Sequence, residues 1–272
     1  MQAMSSARSL ALASVIGAIT VALPQAQQTD AVTVPFSDPA RVGSIRVAIH
    51  TGGIIVKGGN RRDVLVTSRG EDSRRQSPAP AGLRRLTQAV GLSIAEENNQ
   101  INIGTSGQNR DVDVELQVPA RVNLKLQTHN DGDVIVENVE GDIEVQNHNG
   151  GIRLTNVAGS AVANTHNDDV RVVLTRITVD KAMSFISYNG DIDVTLPASA
   201  KANLKMRSDN GEIFTDFDVQ MRPVPQATTT KTARGGTRID INQSVYGAIN
   251  GGGPEFELRT YNGNIFVRRG GQ

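Results

Sequence analysis

The chain has 272 residues, 28 lysines plus arginines against 28 aspartates plus glutamates, no cysteine and no tryptophan. The zero formal net charge argues against an electrostatically driven nucleic-acid binder, and the lack of cysteine excludes disulfide frameworks, zinc ribbons and thiol nucleophiles. With 38% hydrophobic residues, 3% aromatics and 27 glycines, the core must be thin and aliphatic, made of short strands and many turns.

Residues 1–26 have the pattern of a signal peptide. Arg8 supplies a positive start, Leu10 to Leu23 is an uncharged apolar run, and Ala26 follows Pro24 and Gln25 as a cleavage position. The run is shorter than the ~20 residues that a membrane span needs. Residues 27–41 are expected to be a disordered linker, and 42–270 a single β-repeat domain without a transmembrane span. The expected location is the periplasm or the cell surface.

The repeat phrase first appears as His50-Thr51-Gly52-Gly53-Ile54-Ile55-Val56. Residues 70–89 then break it with Pro78, Pro80 and four arginines, and are expected to form a loop. From Gly132 the beat is regular, since Gly132, Gly141, Gly150, Gly159 and Asp168 fall at nine-residue intervals. After each comes a strand phrase such as Asp133-Val134-Ile135-Val136 or Asp142-Ile143-Glu144-Val145. Alternating apolar positions give one buried face to each strand. Two turn types alternate: His129-Asn130-Asp131-Gly132, His148-Asn149-Gly150 and His166-Asn167-Asp168 form one, and Asn138-Val139-Glu140-Gly141 and Asn156-Val157-Ala158-Gly159 the other. Like turns recur every 18 to 19 residues, so a rung holds two strands and strand n should pair with strand n+2. An antiparallel meander would also alternate its turns, but Val139 and Val157 favour a coil with an apolar corner. The fold class is all-β: a solenoid-like, β-helix-like stack of short strands.

Further copies follow at Tyr188-Asn189-Gly190-Asp191-Ile192, Asp209-Asn210-Gly211-Glu212-Ile213 and Tyr261-Asn262-Gly263-Asn264-Ile265. A longer duplication relates Val114–Ala120, followed by Asn123-Leu124-Lys125, to Ile192–Ala198, followed by Asn203-Leu204-Lys205. Residues 220–236, polar and proline-containing, are expected to be a second loop.

These phrases, the strand-Pro-Ala-Asn-Leu-Lys segments and the stretch from Gly251 to Ile265 resemble the bacterial Toastrack, or adhesin-like, β-strand-repeat family over roughly residues 42–270. The resemblance implies an all-β stack in exported or membrane-attached envelope proteins, discussed as adhesin-like or as parts of envelope-stress sensing. It carries no catalytic residues.

The four histidines, His50, His129, His148 and His166, share one slot of the repeat, which Tyr188 and Tyr261 also occupy. In a coil, His129, His148 and His166 would stack closely enough for two or three imidazoles to share a metal ion, or to respond to acid. The plainer reading is a turn slot for planar polar side chains. Asn130, Asp131, Asp133, Asn167, Asp168 and Asp169 suggest calcium, although the glycine spacing differs from that of a calcium-binding β-roll. Asp168, Asp169, Arg153 and Arg171 could imitate the carboxylate-arginine face of a polysaccharide-cleaving β-helix. The chain has no Gly-x-Ser-x-Gly, His-Glu-x-x-His or phosphate-cradling motif. The expected function is therefore a non-enzymatic structural or interaction module without a cofactor, whose partner is a protein or an envelope polysaccharide and not nucleic acid. A carbohydrate-binding or carbohydrate-active β-helix and a metal- or pH-responsive envelope sensor are the alternatives.

Overall fold

The structure, a computed structural model, describes residues 30–70, 91–105, 111–223, 227–231, 237–241 and 244–271. The first strands are β1 (Asp30–Pro35), β2 (Gly43–Ala48), β3 (Ile54–Gly59), β4 (Asp63–Gly70), β5 (Leu92–Glu97), β6 (Gln100–Thr105) and β7 (Val112–Pro119). The middle strands are β8 (Val122–Thr128), β9 (Val134–Glu137), β10 (Glu140–Asn147), β11 (Ile152–Asn167), β12 (Val170–Ile177), β13 (Met183–Asn189) and β14 (Ile192–Pro197). Then come β15 (Ala202–Ser208), β16 (Ile213–Thr215), β17 (Val219–Met221), β18 (Ala227–Lys231), β19 (Thr237–Ile241), β20 (Val245–Ile249), β21 (Glu255–Asn262) and β22 (Ile265–Gly270). The described residues contain no helix, and so none long and apolar enough to cross a membrane.

Strands pair in parallel to build eight two-stranded rungs. In stacking order these are β6–β7, β2–β3, β8–β9, β10 with the first part of β11, the rest of β11 with β12, β13–β14, β21–β22 and β15–β16. Rungs three to six follow the expected pairing of strand n with strand n+2. β11 bends at Asn156, whose φ of 54° is left-handed, and so serves two rungs. Both outer regions depart from that order. The β2–β3 rung is intercalated between β6–β7 and β8–β9, and the β21–β22 rung between β13–β14 and β15–β16. Every rung offers the same apolar alternation, so a remote segment fits as well as the next one along the chain.

The core fills the space between the two parallel faces. Along one column Val145, Ala163, Phe185 and Leu258 lie side by side, so the small Ala163 leaves room for the fully buried Phe185. Val139 and Val157 are buried at the second turn edge, as an apolar corner requires. Antiparallel strands close the stack: β5 pairs with β6, β4 and then β1 extend from β7, and β20 and then β17 extend from β15. Such caps limit the bare edge that a parallel stack would present. Among the described residues, the three-residue β16, which pairs with β22, ends the other parallel face without an antiparallel cap.

Two sequence expectations need adjustment. Residues 30–35, inside the expected linker, form β1, because an apolar alternation through Val32 and Val34 matches β4. Ala227–Lys231, inside the expected loop at 220–236, pairs antiparallel with Thr237–Ile241, just after it, in keeping with a threonine-rich run of high strand propensity. Most of the expected 70–89 loop, and the signal-like residues 1–26, lie outside the described residues.

Candidate functional site

Parallel rungs place equivalent residues ~4.8 Å apart, so the first turn edge becomes a set of columns. The outermost is a stack of rings. His50, His129, His148, His166, Tyr188 and Tyr261 follow one another with centroids 4.7–5.5 Å apart and planes within 8–18° of parallel. His50, His129 and His166 are exposed, and the two tyrosines keep 44% and 42% of their surface in solvent.

Beside the rings runs an asparagine column. The side-chain amide of Asn149 donates to the Asn130 carbonyl, Asn167 to Asn149, Asn189 to Asn167, Asn262 to Asn189 and Asn210 to Asn262, at 2.7–3.2 Å. All five bonds run in one direction, so the amide dipoles add along the stack.

Two further columns tie each turn to the next. Thr128, Asn147, Thr165, Ser187, Thr260 and Ser208 donate to the carbonyls of Gly52, Gly132, Gly150, Asp168, Gly190 and Gly263 of the preceding rung, at 2.7–2.9 Å. On the outer side, Asp113, Asp133, Asp169, Asp191 and Asn264 accept the backbone N–H of Gly53, Gly151, Asp191, Asn264 and Glu212 at 2.7–3.0 Å. These bonds satisfy turn groups that the strand ladders leave unpaired.

Close approach also explains the glycines of this edge. Gly132 and Gly150 have φ of 150°, and a side-chain carbon on Gly150 would lie 2.3 Å from the Gly132 carbonyl oxygen. From rung two to rung eight this slot holds Gly52, Gly132, Gly150, Asp168, Gly190, Gly263 and Gly211, so Asp168 is the exception. It sits at φ 104° with its own carboxylate accepting the Asp169 N–H at 2.7 Å, a backbone conformation that costs an L residue ~1–3 kcal/mol. Asp168 opens onto a shallow groove lined also by Asp133, Asp169, Arg153 and Arg171. Arg171 is paired with Asp169 at 2.7 Å.

The structure therefore brings His129, His148 and His166 together, but with parallel planes. Imidazole lone pairs lie in the ring plane, so stacked rings direct their nitrogens side by side and not towards a common point. Among the described residues, no group of three or more histidine, cysteine, aspartate or glutamate side chains could hold a metal ion. Of the residues that suggested calcium, Asp133 and Asp169 are engaged with backbone N–H groups, and Asn130 and Asn167 with the amide column. Sequence reasoning treated those asparagines as turn formers and missed the column. The cue was present, since an asparagine follows each of His129, His148, His166, Tyr188 and Tyr261.

The opposite turn edge carries charge pairs instead. The Lys181 ammonium and the Ser160 hydroxyl both donate to Asp142 and hold its carboxyl below the usual aspartate range. Arg176 reaches Glu140 at 2.7 Å.

Residues 102–267, more than half of the chain, match the family described as Toastrack DUF4097. The crystal structure of a "putative cell adhesion protein" from Clostridium sporogenes ATCC 15579 is similar at a TM-score of 0.44 and 8% identity, covering 89% of this chain and 100% of that one. The crystal structure of a "putative adhesin" from Bacteroides fragilis NCTC 9343 is similar at a TM-score of 0.29 and 9% identity, covering 90% of this chain and 98% of that one. No curated protein matches the sequence.

Proposed function

Because the chain belongs to the Toastrack DUF4097 family, we propose that it is an exported, non-enzymatic interaction module of the cell envelope that presents its ring edge to a protein or polysaccharide partner. The observation that carries this reading is the unbroken six-ring stack with Tyr188 and Tyr261 exposed by 44% and 42%. Exposed aromatic and imidazole groups give contact area at little entropic cost, because they have few rotatable bonds and are already fixed by stacking. The asparagine column beneath them holds that strip rigid before any partner arrives. Export is supported by the Arg8 and Leu10–Leu23 pattern.

The test is capture of envelope proteins and glycans by the wild-type protein and by a Tyr188→Ala/Tyr261→Ala variant, with cell fractionation to locate the protein. Binding that drops about tenfold or more in the variant supports the reading, as loss of two aromatic anchors should. Undiminished binding, or a cytoplasmic protein, overturns it.

A second reading, a carbohydrate-binding or carbohydrate-active β-helix, is favoured by the groove of Asp133, Asp168, Asp169, Arg153 and Arg171, with Asp168 held at φ 104° in a slot otherwise filled by glycine. Incubation with polyuronates distinguishes the two. Binding or cleavage abolished by Asp169→Asn, with the ring variant unaffected, would favour the groove.

A further inference from the structure

At rung seven the stacking order and the chain order part. β13–β14 leads directly into β15–β16 through residues 198–201, yet β21–β22 lies between them. Phe185 and Met206 flank Leu258 from its two sides. Their separation in sequence falls within the 18–22 residues that separate stacked positions in the middle rungs. The two walls of the slot thus have the register of neighbouring rungs.

They also have matching chemistry. Asn262 donates to Asn189 and accepts from Asn210, which could equally donate to Asn189. The inserted Gly263 carbonyl accepts the Ser208 hydroxyl, and the Gly190 carbonyl, which takes the Thr260 hydroxyl, is its counterpart on the opposite wall. Asp191 accepts the Asn264 N–H and Asn264 accepts the Glu212 N–H, so removing the insert would bring Asp191 to Glu212. The inserted rung is held by bonds of the kind that every rung makes, together with the burial of Phe256, Leu258, Ile265 and Val267.

The two intercalated rungs are tethered differently. β2–β3 is flanked by β1 and β4, which pair with each other, and β4 also pairs with β7. β21–β22 is reached from β20 through Asn250, Gly251 and Gly252, with φ of 51°, 88° and 86°, and then Gly253 and Pro254. A side-chain carbon at Gly251 would meet nothing within 4 Å, so that backbone is unobstructed. Gly252 and Gly253 are closer set, since a side-chain carbon would lie 2.7 Å from the Asn203 Oδ1 and 2.2 Å from the Lys201 carbonyl oxygen, so Gly251 is the position from which the connector can swing out.

We propose that the slot between β13–β14 and β15–β16 accepts β21–β22 from a second copy of the chain, so that copies associate by exchanging this rung. The occupant is a second copy because the slot is filled in register by this segment: Tyr261 continues the ring stack, Asn262 the amide column, and Phe256 and Leu258 the core. Reciprocal exchange closes a dimer, and onward exchange yields a head-to-tail array, with the slot contacts of the single chain retained.

The chain contains no cysteine, so single cysteines report cleanly. The Tyr188 and Tyr261 ring centroids are 4.8 Å apart. Full-length Tyr188→Cys and Tyr261→Cys proteins are unfolded in urea, mixed at equal amounts, refolded at high concentration and oxidised. Exchange places the two thiols on adjacent rungs of different chains, and disulfide-linked chains joining positions 188 and 261 are expected about tenfold above a control, because their effective concentration is high. The control pairs Tyr261→Cys with Val179→Cys, a residue 72% exposed and outside the ring stack. Linkage equal to that control overturns the proposal.

Discussion

Rungs three to six and rung seven use one chemistry and reach it by different routes. In the middle, each rung lies against its successor in the chain, and the asparagine partners Asn149 and Asn167 are 18 residues apart. At rung seven, Asn262 pairs with Asn189 across 73 residues and with Asn210 across 52. The middle can form by adding one local coil at a time, whereas β21–β22 must enter between two coils already made. Local contacts are cheap in loop-closure entropy and remote ones are not. Identical side-chain columns therefore give a continuous structure with unequal cooperativity along it, as expected of a quasi-one-dimensional array.

Core deletions test that inequality most severely. Phe185 and Phe256 are both fully buried, one in rung six and one in rung seven. Replacing either by alanine should cost ~3–5 kcal/mol. Phe185→Ala should lower the urea midpoint of one cooperative transition. Phe256→Ala should instead split off an early transition confined to β15–β22, visible as selective loss of amide protection there by hydrogen exchange. Identical single transitions in both variants would show that the intercalated rung is as integral as the middle.

The asparagine column gives a smaller contrast. Asn167→Ala removes an amide that both donates to Asn149 and accepts from Asn189, whereas Asn210 only donates, to Asn262. At ~0.5–1.5 kcal/mol per hydrogen bond, the mid-column change should cost about twice the terminal one in urea unfolding. A ratio well above two would show that the bonds reinforce one another along the column, and equal costs would show that the second bond of Asn167 contributes nothing.

The all-β class, the two-stranded rung and the ring slot were legible because they are local. Gly132 to Asp168 mark the beat at nine-residue steps, and His129, His148 and His166 recur at matching turns. The position of β2–β3 and β21–β22 was not legible, because Ile54 fits beside Val134 for the same reason that Ile152 does. A repeat specifies what each rung accepts, and any rung with the same alternation qualifies. The orientation of the histidine rings was not legible either. Spacing in sequence predicts proximity, but the direction of a ring nitrogen depends on the side-chain torsions that stacking selects.

Ion pairs should show the least difference in size and an opposite dependence on pH. In the middle, Lys181 and Ser160 depress the Asp142 carboxyl. At the intercalated rung, the hydrogen bond from Lys205 to Glu257 raises the Lys205 ammonium above its ordinary 10.5. A depressed carboxyl contributes stability above its unfolded value of ~3.9 and loses it as pH falls through the lower folded value. A raised ammonium contributes below its unfolded value and loses that contribution as pH rises through the higher folded one. Both pairs are about a third to a half exposed, so solvent screening limits each to a few tenths of a kcal/mol. In urea titrations at a series of pH values, Asp142→Asn should be less stable than wild type at neutral pH and converge with it in acid. Lys205→Met should be less stable at neutral pH and converge with wild type at strongly alkaline pH, where the lysine loses its charge. Both differences should shrink in 1 M salt, where the Debye length is ~3 Å. A Lys205→Met difference that persisted at strongly alkaline pH would show that the charge on the lysine does not support that pair.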